Sequence, residues 1–182
     1  MNQQREVIYG NRTEVLQTED PRALIVEVIE DTVPAKLAEY LQIEGPNGIE
    51  RDTEGLLGWL NFTFPVRLTE EECDFDNRTD EEIENFVIDR LKGAYELKMS
   101  HEDPDHADEL ERYIILSAID NLWREHLYAM DGLREAIGWR AQGQKDPLVE
   151  YKKEGYNLFV DLMDNIKFEA LTGLFRSTTN PE

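Results

Sequence analysis

Between Glu109 and Phe175 the apolar residues fall into two long runs at helical spacing, the first with every step three or four. The first run is Leu116, Ile119, Trp123, Leu127, Met130, Leu133 and Ile137; the second is Leu148, Tyr151, Leu158, Leu162, Ile166 and Leu171, with Gly155 in its middle. At 3.6 residues per turn each set lies on one face, which predicts two long amphipathic helices. Gly138 to Lys145 separate them, followed by Asp146-Pro147, a helix start in which the carboxylate caps free amides and proline occupies a position with no amide to lose. So short a connection predicts an antiparallel pair, a helical finger with a tip at about 138–145.

Upstream, Met1 to Tyr9 has good helix formers and no cap, so the chain is expected to begin inside a helix whose narrow stripe is Val7, Ile8, Val15 and Leu16. Asp20-Pro21 restarts a helix with Ile25, Ile29, Val33, Leu37 and Leu41 on one face; Pro34 within it predicts a kink or a division. Gly45-Pro46-Asn47-Gly48 reads as turn and boundary. Asp52-Thr53 is expected to cap a short helix through Leu60; Phe62, Phe64 and Val66 alternate as a short strand would, but a helix followed by an extended turn at Pro65 is the reading favoured. Thr79-Asp80-Glu81-Glu82 is a capping box opening a helix along Ile83, Val87, Leu91 and Ala94. Pro104 is expected to open the first finger helix, about 34 residues or roughly 50 Å long. The tail from Ser177 is expected to fray.

Charge changes this picture by dividing the chain. The net charge is -21, yet Thr13 to Leu122 carry 9 basic against 29 acidic residues, and Trp123 to Arg176 carry 8 against 9. The acidic part should be repelled by nucleic acid, so no nucleic-acid partner is expected, and the finger would lead any approach to a negative surface. No run approaches the length of a membrane span, and the single Cys73 excludes an internal disulfide. A soluble chain of a reducing compartment is expected.

Catalytic patterns are not found. The chain has neither a phosphate-binding glycine loop nor a G-x-S-x-G elbow. His101, Asp103, Asp105 and His106 could in principle hold a divalent ion, but a solvated acidic linker is the reading favoured. His126 lacks a partner for base catalysis and is expected to be a hydrogen-bonded interface residue. Most stripe residues are expected to be packing: Ile119, Trp123, Leu127, Met130, Tyr151 and Leu158, with Gly155 permitting close approach of the two helix backbones. The tip residues Gly138, Trp139, Arg140, Ala141, Gln142, Gly143, Gln144 and Lys145 offer an indole and side-chain amides that could touch a passing polypeptide without reading its sequence. An inert turn with Trp139 folded back onto the hairpin fits the spacing equally well.

The segment Asn2-Gln3-Gln4-Arg5-Glu6-Val7-Ile8-Tyr9, and more specifically the run from Asp120 to Arg134 (DNLWREHLYAMDGLR), resembles the C-terminal region of the SecA family of bacterial preprotein translocation ATPases; Gln144 to Tyr151 (QKDPLVEY) is similar to the same family just after its finger loop. The resemblance implies an all-α fold: a helical scaffold from residues 1–42 and 107–182, carrying the two-helix finger, interrupted by a helical wing at 43–106. It further implies a cytoplasmic, peripheral membrane location and a non-catalytic fragment that couples ATP-driven motion to preprotein entering the SecYEG channel. The implied partners are SecYEG, unfolded preprotein and the SecA motor domains. ATP and magnesium would bind those motor domains, and zinc a cysteine-rich tail, none of which lies in these 182 residues. Where many members carry tyrosine in the loop, this chain has Gln142, and the aromatic nearest the tip is Trp139. The alternative from the residues alone is a free-standing acidic helical adaptor that dimerises through its amphipathic faces.

Overall fold

A computed structural model describes residues 1–140, 143 and 146–179. Its order is α1 (Asn2–Gln17), α2 (Pro21–Leu41), β1 (Ile43–Gly45), β2 (Gly48–Glu50), α3 (Thr53–Thr63), α4 (Glu70–Cys73), α5 (Asp80–Met99), α6 (Ala107–Arg140) and α7 (Pro147–Arg176). The fold is all-α apart from the β1–β2 ribbon. By packing, the chain divides into two compact units, Met1–Glu19 with Arg112–Ala170, and Asp20–Glu111 with Leu171–Glu182.

The second unit is built on two facing stripes. Along α2, Ile25, Ile29, Val33, Leu37 and Leu41 are buried, and along α5, Ile83, Val87, Leu91, Tyr95 and Met99. The α2 stripe is the expected one, whereas on α5 Tyr95, not Ala94, takes the buried place. Helix α2 packs on both α5 and α3, which contributes Leu56 and Leu60. Aromatic rings continue this core: Trp59 meets Tyr40 at 6.0 Å and Phe64 at 5.8 Å, and Phe175 meets Phe64 at 5.3 Å and Tyr95 at 5.7 Å. Pro34 does not divide α2. It removes one helical hydrogen bond and costs about 3 kcal/mol in a helix interior, but the buried residues on both sides of it hold the helix continuous.

Local signals explain most helix starts. Asp20 and Asp52 cap α2 and α3 by accepting from Ala23 and Gly55, and Thr79 with Glu82 forms the expected capping box of α5. A second box, Thr69 with Glu72, opens the four-residue α4, which sequence reading missed. The β1–β2 ribbon was also unforeseen: five of its six residues face solvent and Gly45 is half-buried, so its three-residue strands bury no apolar face. After α3 the chain turns and does not form a strand. The Asn61 side chain closes that turn, donating to the Leu68 carbonyl at 2.8 Å and accepting from the Leu68 amide at 2.7 Å.

Two expectations at the ends of elements need correction. Helix α6 begins at Ala107, three residues after Pro104, because Asp103 organises an intervening turn by accepting from the Asp105 amide at 3.0 Å and pairing with His106 at 2.9 Å. The tail does not fray as far as Thr179. The Glu102 carboxylate accepts from the Thr179 amide at 2.7 Å and hydroxyl at 2.8 Å, and pairs with Lys98 at 3.0 Å. Burial raises the pKa of that carboxyl, but the Thr179 and Lys98 donors more than offset it and hold it at about 2.

Candidate functional site

The first unit consists of α1 with the packed lengths of α6 and α7. Met130, Leu133 and Ile137 of α6 form a buried cluster with Tyr151 and Leu158 of α7. His126 lies 5.9 Å from the Phe159 ring, Gly155 faces Met130, and Ile137 shares a cavity with Leu148. Advancing along α6 therefore means retreating along α7. The helices are antiparallel and in register, as two opposed 3.6-period stripes require.

The stripes differ in detail from the pattern. Ile119, Trp123 and Met130 are buried, as are Leu162, Ile166 and Leu171, but Leu127, Tyr151 and Leu158 are only half-buried. Leu148 is exposed, as are Val7 and Leu16 of the supposed α1 stripe, whose buried members are Ile8 and Val15. Ile115 and Ala118 are buried positions that the stripe omitted. Gly155 also acts differently from expectation. A Cβ there would come within 2.9 Å of the Met130 methyl and 3.5 Å of its sulfur, so a side chain, and not the opposite backbone, fills the notch. That neighbour is the far end of a flexible chain. Gly155→Ala is therefore expected to melt within about 1 kcal/mol of the parent, because helix propensity offsets the displaced methyl, whereas Gly155→Ile should lose about 2 kcal/mol by overpacking. Thermal unfolding followed by circular dichroism measures both.

Polar residues fasten α1 to the hairpin. Arg12 binds Asp120 through two nitrogens, at 2.8 and 3.1 Å, and Arg112 donates to the Val15 and Thr18 carbonyls at the C-terminal end of α1. His126 is buried, lies against Trp123 with centroids 5.4 Å apart, and its Nε2 is 2.8 Å from Gln4 Oε1. Burial lowers its pKa, so the ring is held neutral. The expected hydrogen-bonded interface histidine is there, but its partner Gln4 could not be named from sequence, since 122 residues separate them.

At the tip α6 ends at Arg140, whose carbonyl accepts from the Gly143 amide at 2.9 Å, and α7 starts at Pro147. Asp146 accepts from the Leu148 amide at 3.0 Å, the cap that Asp-Pro predicted. Arg140 reaches back to Glu154 at 2.6 Å. Trp139 is 79% exposed, and Leu148 and Val149 are 59% and 61% exposed, so three apolar side chains face solvent around the turn. A cavity of about 380 Å³ lined by Arg134, Ile137, Pro147, Leu148 and Tyr151 opens beside them. Gly138 and Gly143 are exposed too; the expectations for Ala141, Gln142, Gln144 and Lys145 lie outside the described residues.

The other candidate chemistry is occupied by local structure. His106 pairs with Asp103, and His101 Nδ1 lies 2.7 Å from the Leu97 carbonyl. Cys73 is buried, and burial together with Glu72 raises its thiol pKa. Among the described residues no three His, Cys, Asp or Glu side chains gather as metal ligands, and no helix is long and apolar enough to cross a membrane.

Comparison with known proteins reaches almost the whole chain. Residues 1–178 match the family described as the SecA wing and scaffold domain. A Streptomyces avermitilis protein translocase subunit SecA 1 is 41% identical over 96% of this chain and 19% of its own length. SecA subunits of Trichormus variabilis and Prochlorococcus marinus are 35% and 38% identical, over 100% and 96% of this chain and 20% and 19% of theirs. The chain thus spans about a fifth of the length of the curated relatives it matches.

Proposed function

Because this chain belongs to the SecA wing and scaffold domain family, we propose that it is the scaffold, wing and finger of a bacterial preprotein translocase, and that its hairpin passes ATP-driven domain motion to the polypeptide in transit. In this reading the chain performs no catalysis itself. ATP and magnesium act in motor domains elsewhere in the parent, which works peripherally at the cytoplasmic face of the inner membrane. The finger tip addresses the SecYEG channel and unfolded preprotein, and nucleic acid plays no part.

One observation carries this reading: a pair of helices packed in register along their length, with the Trp139 indole exposed at the end of one helix and Leu148 and Val149 exposed at the start of the other. Packing supplies stiffness, which a lever needs to transmit displacement. Solvent-facing apolar groups supply a contact that tolerates many sequences, because an indole offers its face to any chain and reads no particular side chain.

The test uses a full-length translocase carrying this segment. Replacing both Trp139 and Gln142 by glycine should leave the melting of the protein and its ATP hydrolysis in place while lowering preprotein transport into membrane vesicles several-fold. Transport at the parental rate with both replaced would remove the tip from the mechanism.

A further inference from the structure

We propose that Gln4 is the positioning residue that sets the register of the finger, because its one side-chain amide holds His126 of α6 and the Gly155 carbonyl of α7 at once. This inference rests on the finger reading for its functional meaning, but not for its structural content.

The geometry assigns each end of the amide. Gln4 Nε2 lies 3.3 Å from the Gly155 carbonyl oxygen, and only the amide nitrogen can donate to a carbonyl. The amide oxygen is left for His126, 2.8 Å away, which therefore carries its proton on Nε2. Three helices meet on this one side chain.

Packing at this level relies on Met130, whose unbranched and flexible chain can follow the Gly155 notch through small shifts, and the amide adds a directional contact that the apolar groups lack. A polar link within an otherwise apolar helix interface specifies register where packing alone does not. The Arg140–Glu154 ion pair between the same two helices is solvent-exposed at the tip, where such a pair contributes little.

Spin labels on Glu135→Cys and Lys152→Cys, both exposed positions on the two finger helices, measure that register in the chain by pulsed dipolar spectroscopy. Cys73 is buried with its thiol held protonated and does not compete for the label. The parent should give one narrow distance. In Gln4→Ala the distribution should widen or move by several ångströms, up to the roughly 5 Å of one helical turn. Gln4→Glu keeps an acceptor for His126 and removes the donor to Gly155. It should raise the His126 midpoint, seen by ring chemical shifts, and still widen the distance distribution. A Gln4→Glu distribution superimposable on the parent overturns the proposal, whatever Gln4→Ala does. Because this readout needs no transport assay, a widened distribution beside unimpaired transport would leave the register role standing and sink the lever reading alone.

Discussion

Tyr95→Phe should destabilise the second unit by about 3 kcal/mol, although the substitution removes a single oxygen. Tyr95 and Glu111 are both buried, and the tyrosine hydroxyl donates to Glu111 Oε1, which also accepts from Arg22 at 3.3 Å. Glu111 Oε2 has no hydrogen-bond partner among the described residues. Taking away the hydroxyl leaves a buried carboxylate with half-exposed Arg22 as its remaining donor, and an under-satisfied buried charge costs far more than one hydrogen bond contributes. The phenyl ring keeps its edge contact with Phe175, so the loss reports the polar group. Native-state hydrogen exchange should locate it in α2 and α5. Tyr95→Phe combined with Glu111→Met should recover most of the loss, since removing both partners of a buried polar pair is close to neutral. Equal protection in parent and Tyr95→Phe would show that the carboxylate has another source of solvation.

Ile119→Asp should be the most damaging change in the finger, at roughly 4 kcal/mol or more, because it places an unpaired charge in a dry helix interface. Ile119 is 3% exposed, and the hairpin register puts buried Ile166 opposite it. Leu127→Asp, one stripe position beyond Trp123, should cost roughly 1 kcal/mol, since that side chain is half-buried and a carboxylate there can turn to water. The two variants differ only in depth, so exchange protection of the α6 and α7 amides should fall for the first and stay close to parental for the second. Similar losses in both would mean that the burial gradient along α6 is wrong.

The sequence carried those features that are written within one or two turns. The α5 capping box, the Asp20 and Asp146 starts and the four-residue beat from Ile25 to Leu41 are local, and each appears where the residues place it. Features decided by distant partners were illegible. Tyr95 displaces Ala94 from the core because Phe175 and Glu111 are its neighbours, and nothing near Tyr95 in the chain announces either. The β1–β2 ribbon and α4 are too short to establish a period. In the candidate site the stripes of the finger could be read, but the amide joining Gln4 to His126 and Gly155 could not, and Gly155 was misread because its occupant, Met130, comes from the other helix.

Three indoles occupy three unlike surroundings: Trp59 beside Tyr40, Trp123 against a neutral imidazole, and Trp139 in open solvent. The molecule thereby carries its own optical labels. A soluble quencher reaches the last and spares the second, so fluorescence can follow events at the tip separately from loosening of the shaft, with no dye attached.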